Sequence, residues 1–184
     1  MFGSWSRLMM TAGLLLLGGC GGISSILVSS YNPSYRPGET VAAGDRLSVY
    51  VMGDPFGPAQ PGFAPAVLDA MRGKGFSGSA QLVPGAAGQA PPYFVVMVFD
   101  PPPGLSEQRV CARPDLITPL PPSPQGRVPL LAVLCSGTRY LTAASGTVAA
   151  SAGPSDPAFR RGIADFSRAL FPPFNPESVP DFGA

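Results

Sequence analysis

The stretch VPLLAVLCSGTRYLTAASGTVA, residues 128–149, decides the fold of this chain. Val128 to Cys135 and Arg139 to Ala149 are two strand-like runs, and Ser136-Gly137-Thr138 between them has the composition of a tight hairpin turn. We therefore expect an antiparallel pair of strands here. The other predicted elements are placed outward from this hairpin.

Two further strands are predicted nearer the amino terminus. From Asp45 to Met52, apolar residues occupy every second position, which is the period of a strand with one apolar face. Tyr93 to Phe99 is an almost unbroken run of β-branched and aromatic residues. Such a run indicates a strand that is buried on both faces.

Two helices are predicted from apolar residues at helical spacing. The first is short and ends at Gly73. The second begins at Asp156-Pro157, a capping residue followed by proline at the first helical position. The apolar positions that define them are Phe63, Val67, Leu68 and Met71 in the first helix and Phe159, Ile163, Phe166 and Leu170 in the second.

This order of elements predicts an α+β fold. We expect a small, mainly antiparallel sheet of about four strands with two helices on one face, a two-layer sandwich. The 184 residues include 24 Pro and 23 Gly, so long Pro- and Gly-rich loops should join the elements. We place one domain at residues 45–171, a flexible tether at 20–44 and a Pro-rich tail at 172–184.

The first twenty residues have the features of an export signal. Arg7 precedes an apolar run from Leu8 to Leu17, which is too short to span a bilayer. The run closes on Leu17-Gly18-Gly19-Cys20, which resembles the lipobox of bacterial lipoproteins. The resemblance implies that residues 1–19 are removed and that Cys20 is acylated and holds the protein on a membrane. The alternative is an ordinary Cys20 in a signal peptide that is cut elsewhere.

The lipoprotein resemblance also implies a location and a class of partner. Inner-membrane lipoproteins of this kind usually carry Asp after the cysteine, whereas this chain has Gly21, so the outer membrane, facing the periplasm, is expected. In the order of its elements and its expected membrane location, the chain is similar to small α+β domains of envelope-assembly lipoproteins. Nucleic acid is not expected as a partner, because 12 basic and 11 acidic residues are spread along the chain without a basic stripe.

The other two cysteines, Cys111 and Cys135, would lie in an oxidising compartment. We expect them to form one disulfide that fastens the Pro-rich stretch from Pro101 to Arg127 to the sheet. Closing a loop of about 25 residues should contribute roughly 3 kcal/mol. The alternative is a pair of buried free thiols.

Catalytic chemistry is sparse in this sequence. The chain contains no histidine, which removes Ser-His and Cys-His nucleophile pairs and the usual zinc sites, and we expect no catalytic residue, cofactor or metal. Asp54 and Asp100 each follow a predicted strand, and their carboxylates would share one edge of the sheet if those strands were parallel neighbours. Both precede proline, however, and Asp before Pro is common in turns.

These observations favour a non-catalytic adaptor or assembly factor that binds another envelope component. The stretch from Pro101 to Arg127 offers extended backbone and apolar rings for that contact, unless it is only a linker. Two other functions stay open. One is a periplasmic glycan-acting enzyme that uses carboxylates alone, and the other is a carrier of a small ligand or lipid on the apolar face of the sheet.

Overall fold

The computed structural model describes residues 25–37, 46–57, 62–74, 81–86, 91–122, 126–150 and 152–176. The strands are β1 (Ser25–Tyr31), β2 (Arg46–Met52), β3 (Gln81–Pro84), β4 (Tyr93–Phe99), β5 (Arg127–Ser136) and β6 (Arg139–Ala149). The helices are α1 (Phe63–Met71), α2 (Glu107–Ala112) and α3 (Pro157–Leu170), with one 3₁₀ turn at Pro114–Leu116. The predicted signal peptide at residues 1–19 and the predicted acylation site, Cys20, lie outside the described residues.

The predicted hairpin lies in the middle of the sheet. β5 and β6 are antiparallel and pair from Arg127 opposite Ala149 to Ser136 opposite Arg139. The strand order is β1-β6-β5-β4-β2-β3. β1 and β4 pair antiparallel with this hairpin, whereas β2 is parallel to both β4 and β3. The α+β class is thus confirmed, but the sheet is mixed and has six strands, so the prediction of about four strands is wrong.

The two strands that were not predicted, β1 and β3, lie in stretches whose composition is not typical of strands. β1 is rich in serine, and serine and proline in this region indicated a tether. β3 has only four residues and lies in a Gly- and Pro-rich stretch. Both lie at the edges of the sheet, where a strand needs a partner on one side only.

The folded domain extends beyond the predicted boundaries of 45 and 171. β1 pairs with β6 from Ser25 opposite Thr147 to Tyr31 opposite Thr142, so residues 25–31 are part of the sheet and not of a tether. Tyr35 is only 1% exposed, and its hydroxyl donates to the carbonyl oxygen of Pro172 at 3.1 Å. The remaining parts of the predicted tether and tail, residues 20–24, 38–44 and 177–184, lie outside the described residues.

The two predicted helices, α1 and α3, pack on one face of the sheet. Their apolar sides meet the inward side chains of β2, β4 and β5 in a single core. Three rings lie at its centre: Phe63 and Phe99 have centroids 4.9 Å apart, and Phe99 and Phe159 have centroids 6.1 Å apart. Burial of such large rings is the main stabilising contribution to a domain of this size.

The opposite face of the sheet is partly covered as well, which corrects the two-layer prediction. The short helix α2 packs there, and Val110, Cys111 and Ile117 join a second apolar cluster with β4, β5 and β6. As a result, Phe94 to Phe99 of β4 are all buried, as the unbroken apolar run predicts. α2 has six residues within a Pro-rich stretch, too few for a helical period to be visible in the sequence.

Candidate functional site

Cys111 of α2 and Cys135 of β5 lie at disulfide distance, as the sequence predicts. Their Cα atoms are 5.5 Å apart, within the usual range for a bridge. α2 is held in register for this contact by its N-cap, where the Ser106 hydroxyl accepts a hydrogen bond from the backbone N–H of Arg109. The pair fastens the carboxyl end of α2 to the end of β5 that adjoins the β5–β6 turn.

The residues after α2 form the candidate contact surface. We call residues 113–122 the Pro-rich segment. Ile117, which is 9% exposed, anchors the middle of the segment in the second apolar cluster. Further along, the backbone N–H of Leu120 donates to the carbonyl oxygen of Asp100 at 2.8 Å. The disulfide just before the segment, the buried Ile117 and this hydrogen bond therefore hold it against the sheet.

The same segment presents two large apolar side chains to solvent. Leu116 is 57% exposed and Leu120 is 47% exposed. Single exposed leucines are ordinary on protein surfaces, but two on one fixed segment beside exposed prolines form a small contact surface. The backbone under them is already ordered, so binding would cost little additional conformational entropy.

Asp54 and Asp100 lie at one edge of the sheet, because β2 and β4 are parallel neighbours with Met52 opposite Val98. Asp54 accepts a hydrogen bond from the backbone N–H of Phe56 at 2.9 Å, which is an Asx turn. Asp100 is 6% exposed and has a positive φ of 49°, which Asp tolerates better than most residues. The Asx turn thus explains why an aspartate occupies position 54. The positive φ explains why one occupies position 100.

A charged groove runs between α1 and α3 on the outer surface of the helix layer. It has a volume of about 320 Å³. Asp69 of α1 pairs with Arg160 of α3 and, at 3.2 Å, with Arg72. The hydrogen bond from Arg160 is the main cause that lowers the pKa of the Asp69 carboxyl. Sequence reasoning missed this groove because its charges come from two helices about 90 residues apart.

The described part of the chain contains neither a cluster of metal-ligating side chains nor a helix that could span a membrane. No group of three or more His, Cys, Asp or Glu side chains is placed to hold a metal ion there. No helix among these residues combines the length and the apolar character that a membrane span requires.

Comparison with known proteins gives only distant similarities. No protein-family model matches the sequence, and no curated protein matches it. The PelC dodecamer from Paraburkholderia phytofirmans is a structural neighbour with a TM-score of 0.44 and 13% identity, covering 81% of this chain and 98% of that chain. A leucine-to-methionine variant of that dodecamer has a TM-score of 0.42 and 12% identity over the same shares. Similarity at this level establishes neither the fold nor the function of this chain.

Proposed function

We propose that this chain is a lipid-anchored envelope protein that acts as a non-catalytic adaptor or assembly factor. Cys20 is the proposed acylated residue, and Gly21 after it favours the outer membrane, with the domain in the periplasm. The observation that carries the proposal is the Pro-rich segment, which displays Leu116 and Leu120 on a backbone held by the disulfide. The partner is another envelope component with an apolar patch that accepts these side chains.

The position of β1 limits how far the domain can lie from the membrane. Four residues separate Cys20 from Ser25, where the sheet begins. A fully extended chain advances at most about 3.6 Å per residue, so Ser25 would lie within roughly 18 Å of the acylated cysteine. The domain would therefore be held close to the bilayer surface.

The carboxyl-terminal part of the Pro-rich segment, around Leu120, lies at that same end of the sheet. Ser25 is opposite Thr147, Thr147 is opposite Pro129, and the N–H of Asp100 donates to the carbonyl oxygen of Pro129. Asp100 in turn accepts the hydrogen bond from Leu120. Ser25 and Leu120 are thus level with each other across the sheet. A partner bound at Leu120 would accordingly be a component at the membrane surface.

Site-specific cross-linking in intact cells tests this proposal. A photoreactive amino acid placed at position 120 should give an adduct with one envelope partner. The same amino acid at position 139, in the hairpin at the far end of the sheet, should not give that adduct. Leu116→Asp combined with the probe at 120 should abolish the adduct, because a charge removes the apolar contact. Recovery of only the monomer from position 120 at native expression would refute the adaptor proposal.

A carboxylate-only glycan-acting enzyme is the second candidate, supported by the shared edge of Asp54 and Asp100. The use of Asp54 in a turn weakens it. Asp54→Asn and Asp100→Asn, singly and together, separate the two functions. Unchanged hydrolysis of envelope glycans in all three variants would end the enzyme proposal and leave the adaptor proposal intact.

The carrier alternative has less support. A carrier needs a free apolar face of the sheet or an apolar cavity. In the described residues, α1 and α3 cover one face, and α2 and Ile117 cover part of the other.

A further inference from the structure

The groove between α1 and α3 concentrates the basic residues of the chain. Its floor is made of two small side chains, Ala70 and Ala164, each 6% exposed. Charged side chains line it above that floor. They are Asp69 and Lys74 from the α1 side and Arg160, Arg161, Asp165 and Arg168 from α3. Four of the twelve basic residues of the chain thus line one groove of about 320 Å³.

The two carboxylates of the groove are already paired. Asp69 accepts from Arg160 and Arg72, and Asp165 accepts from Arg168. Lys74 and Arg161 form no ion pair with a carboxylate in the described part of the chain. Four cationic groups against two carboxylates leave an excess of two positive charges in the groove. The whole chain, by contrast, has a formal net charge of only +1.

The groove is formed before any ligand binds. The ion pair between Arg160 and Asp69 joins α3 to α1 across it. At the other end, the buried Ser167 hydroxyl donates to the carbonyl oxygen of Lys74 at 2.6 Å, which fixes the backbone that carries the lysine. Arg161, Asp165 and Arg168 follow at i, i+4 and i+7, so they lie on one side of α3. A ligand would therefore not have to order the helices.

We propose that this groove binds a phosphate monoester or inorganic phosphate. A phosphate monoester carries between −1.5 and −2 charges at pH 7, which matches the excess of two positive charges. Guanidinium groups bind phosphate oxygens in a bidentate manner, and a lysine adds a point charge. The volume is at the lower end of the range for small-molecule sites, which suits a phosphate with one attached sugar ring. The groove and the Pro-rich segment lie on opposite faces of the sheet, so this site is independent of the adaptor surface.

Calorimetric titration of the detergent-extracted full chain with inorganic phosphate, glucose 1-phosphate and glucose tests the proposal. We expect saturable binding of at least one phosphate compound and none of glucose. Tighter binding of glucose 1-phosphate than of inorganic phosphate would identify a sugar phosphate as the ligand, and the reverse order would identify the free ion. Affinity should fall several-fold as the pH is lowered from 8 to 5, a range in which both phosphate compounds take up a proton.

The matched variants are Lys74→Gln/Arg161→Gln in the groove and Arg139→Gln in the hairpin, where the side chain is also exposed. The double variant should bind the phosphate compound at least tenfold more weakly, whereas Arg139→Gln should bind within twofold of the unaltered chain. Unchanged circular dichroism and unfolding midpoint would show that the double variant folds. Equal binding by the double variant and the unaltered chain, or no saturable binding of either phosphate compound, would overturn the proposal.

Discussion

Gly53 illustrates how one residue positions the Pro-rich segment. Its φ is +78°, and a Cβ atom built there would lie 2.7 Å from the carbonyl oxygen of Phe99 and 3.1 Å from Cβ of Pro119. Only glycine combines a relaxed backbone at this φ with such close contacts. The end of β2 can therefore approach the end of β4 and the Pro-rich segment together.

Replacement of this glycine should destabilise the domain more than a glycine substitution usually does. Gly57 is the matched control, because its φ is +79° but, apart from the glycine itself and its two chain neighbours, no described residue has an atom within 4 Å of the position that a Cβ would take. We expect Gly57→Ala to cost about 1 to 2 kcal/mol from the backbone alone. Gly53→Ala should cost about 1 to 3 kcal/mol more, because the clash with backbone adds to it. Urea unfolding of both variants measures the difference, and equal losses would contradict this packing.

Tyr35 gives the domain a dependence on alkaline pH. Burial is the main cause that raises the pKa of its phenol to about 12, from an ordinary value of 10.0. The unfolded chain therefore loses this proton at lower pH than the folded domain does. Stability should be retained below pH 10 and should fall between pH 10 and 12, by up to roughly 2 to 3 kcal/mol.

Tyr35→Phe isolates this effect, because burial also raises the pKa of Tyr50 and adds to the alkaline trend. The variant loses the hydrogen bond to Pro172 and should be less stable at neutral pH. Its free energy of unfolding should fall less steeply between pH 10 and 12. Chemical unfolding of both proteins at pH 8, 10 and 11 provides the comparison, and parallel pH curves would show that Tyr35 does not contribute.

At the scale of single residues, the sequence predicts what depends on local pattern. Cys111 and Cys135 could be paired because they are the only two thiols outside the signal region. The role of Gly53 could not be predicted, because its crowding depends on Phe99 and Pro119, which are distant in sequence. The same holds for the groove, in which Lys74 meets residues of α3.

At the scale of elements, strong periodicity predicted most of the sheet and the two longer helices. β4 and β6 have the predicted bounds, and α3 begins at Pro157 as predicted. β2 begins one residue later than predicted, β5 is one residue longer at each end, and α1 ends at Met71, before the predicted stop at Gly73. β1, β3 and α2 were missed because each is short, serine-rich or surrounded by proline. Contacts with distant parts of the chain stabilise these three elements. β1 pairs with β6, β3 pairs with β2, and α2 is joined to β5 through Cys111.

The disulfide should stabilise α2 and the Pro-rich segment more than any single packing contact there. Removal of a native disulfide from a small secreted domain costs about 2 to 5 kcal/mol, and the bridge here joins residues 24 apart in sequence. Cys111→Ser should lower the free energy of unfolding by that amount and leave Cys135 reactive to a thiol label after unfolding. The double variant Cys111→Ser/Cys135→Ser should be as unstable but should not label. Two reactive thiols in the unfolded, unreduced natural chain would show that the bridge does not form.

At the scale of the whole molecule, the two ends of the sheet are different. The end near Ser25 carries the carboxyl-terminal part of the Pro-rich segment, whereas the other end carries the β5–β6 turn and the contacts of Tyr35 with Pro172. Because only four residues separate Cys20 from the start of β1, an acyl anchor would orient the domain as well as retain it. The sequence could not predict this orientation, since residues 25–31 resemble a tether until they pair with β6.

The proposal that this domain works at a membrane surface depends on Cys20, and intact-mass spectrometry of the detergent-extracted protein tests it most directly. The expected mass is that of a chain that lacks residues 1–19, begins at Cys20 and carries added acyl chains. Cys20→Ser should be neither acylated nor held in the membrane fraction. A processed, membrane-held Cys20→Ser protein, or a natural chain with no lipid on Cys20, would contradict the proposal.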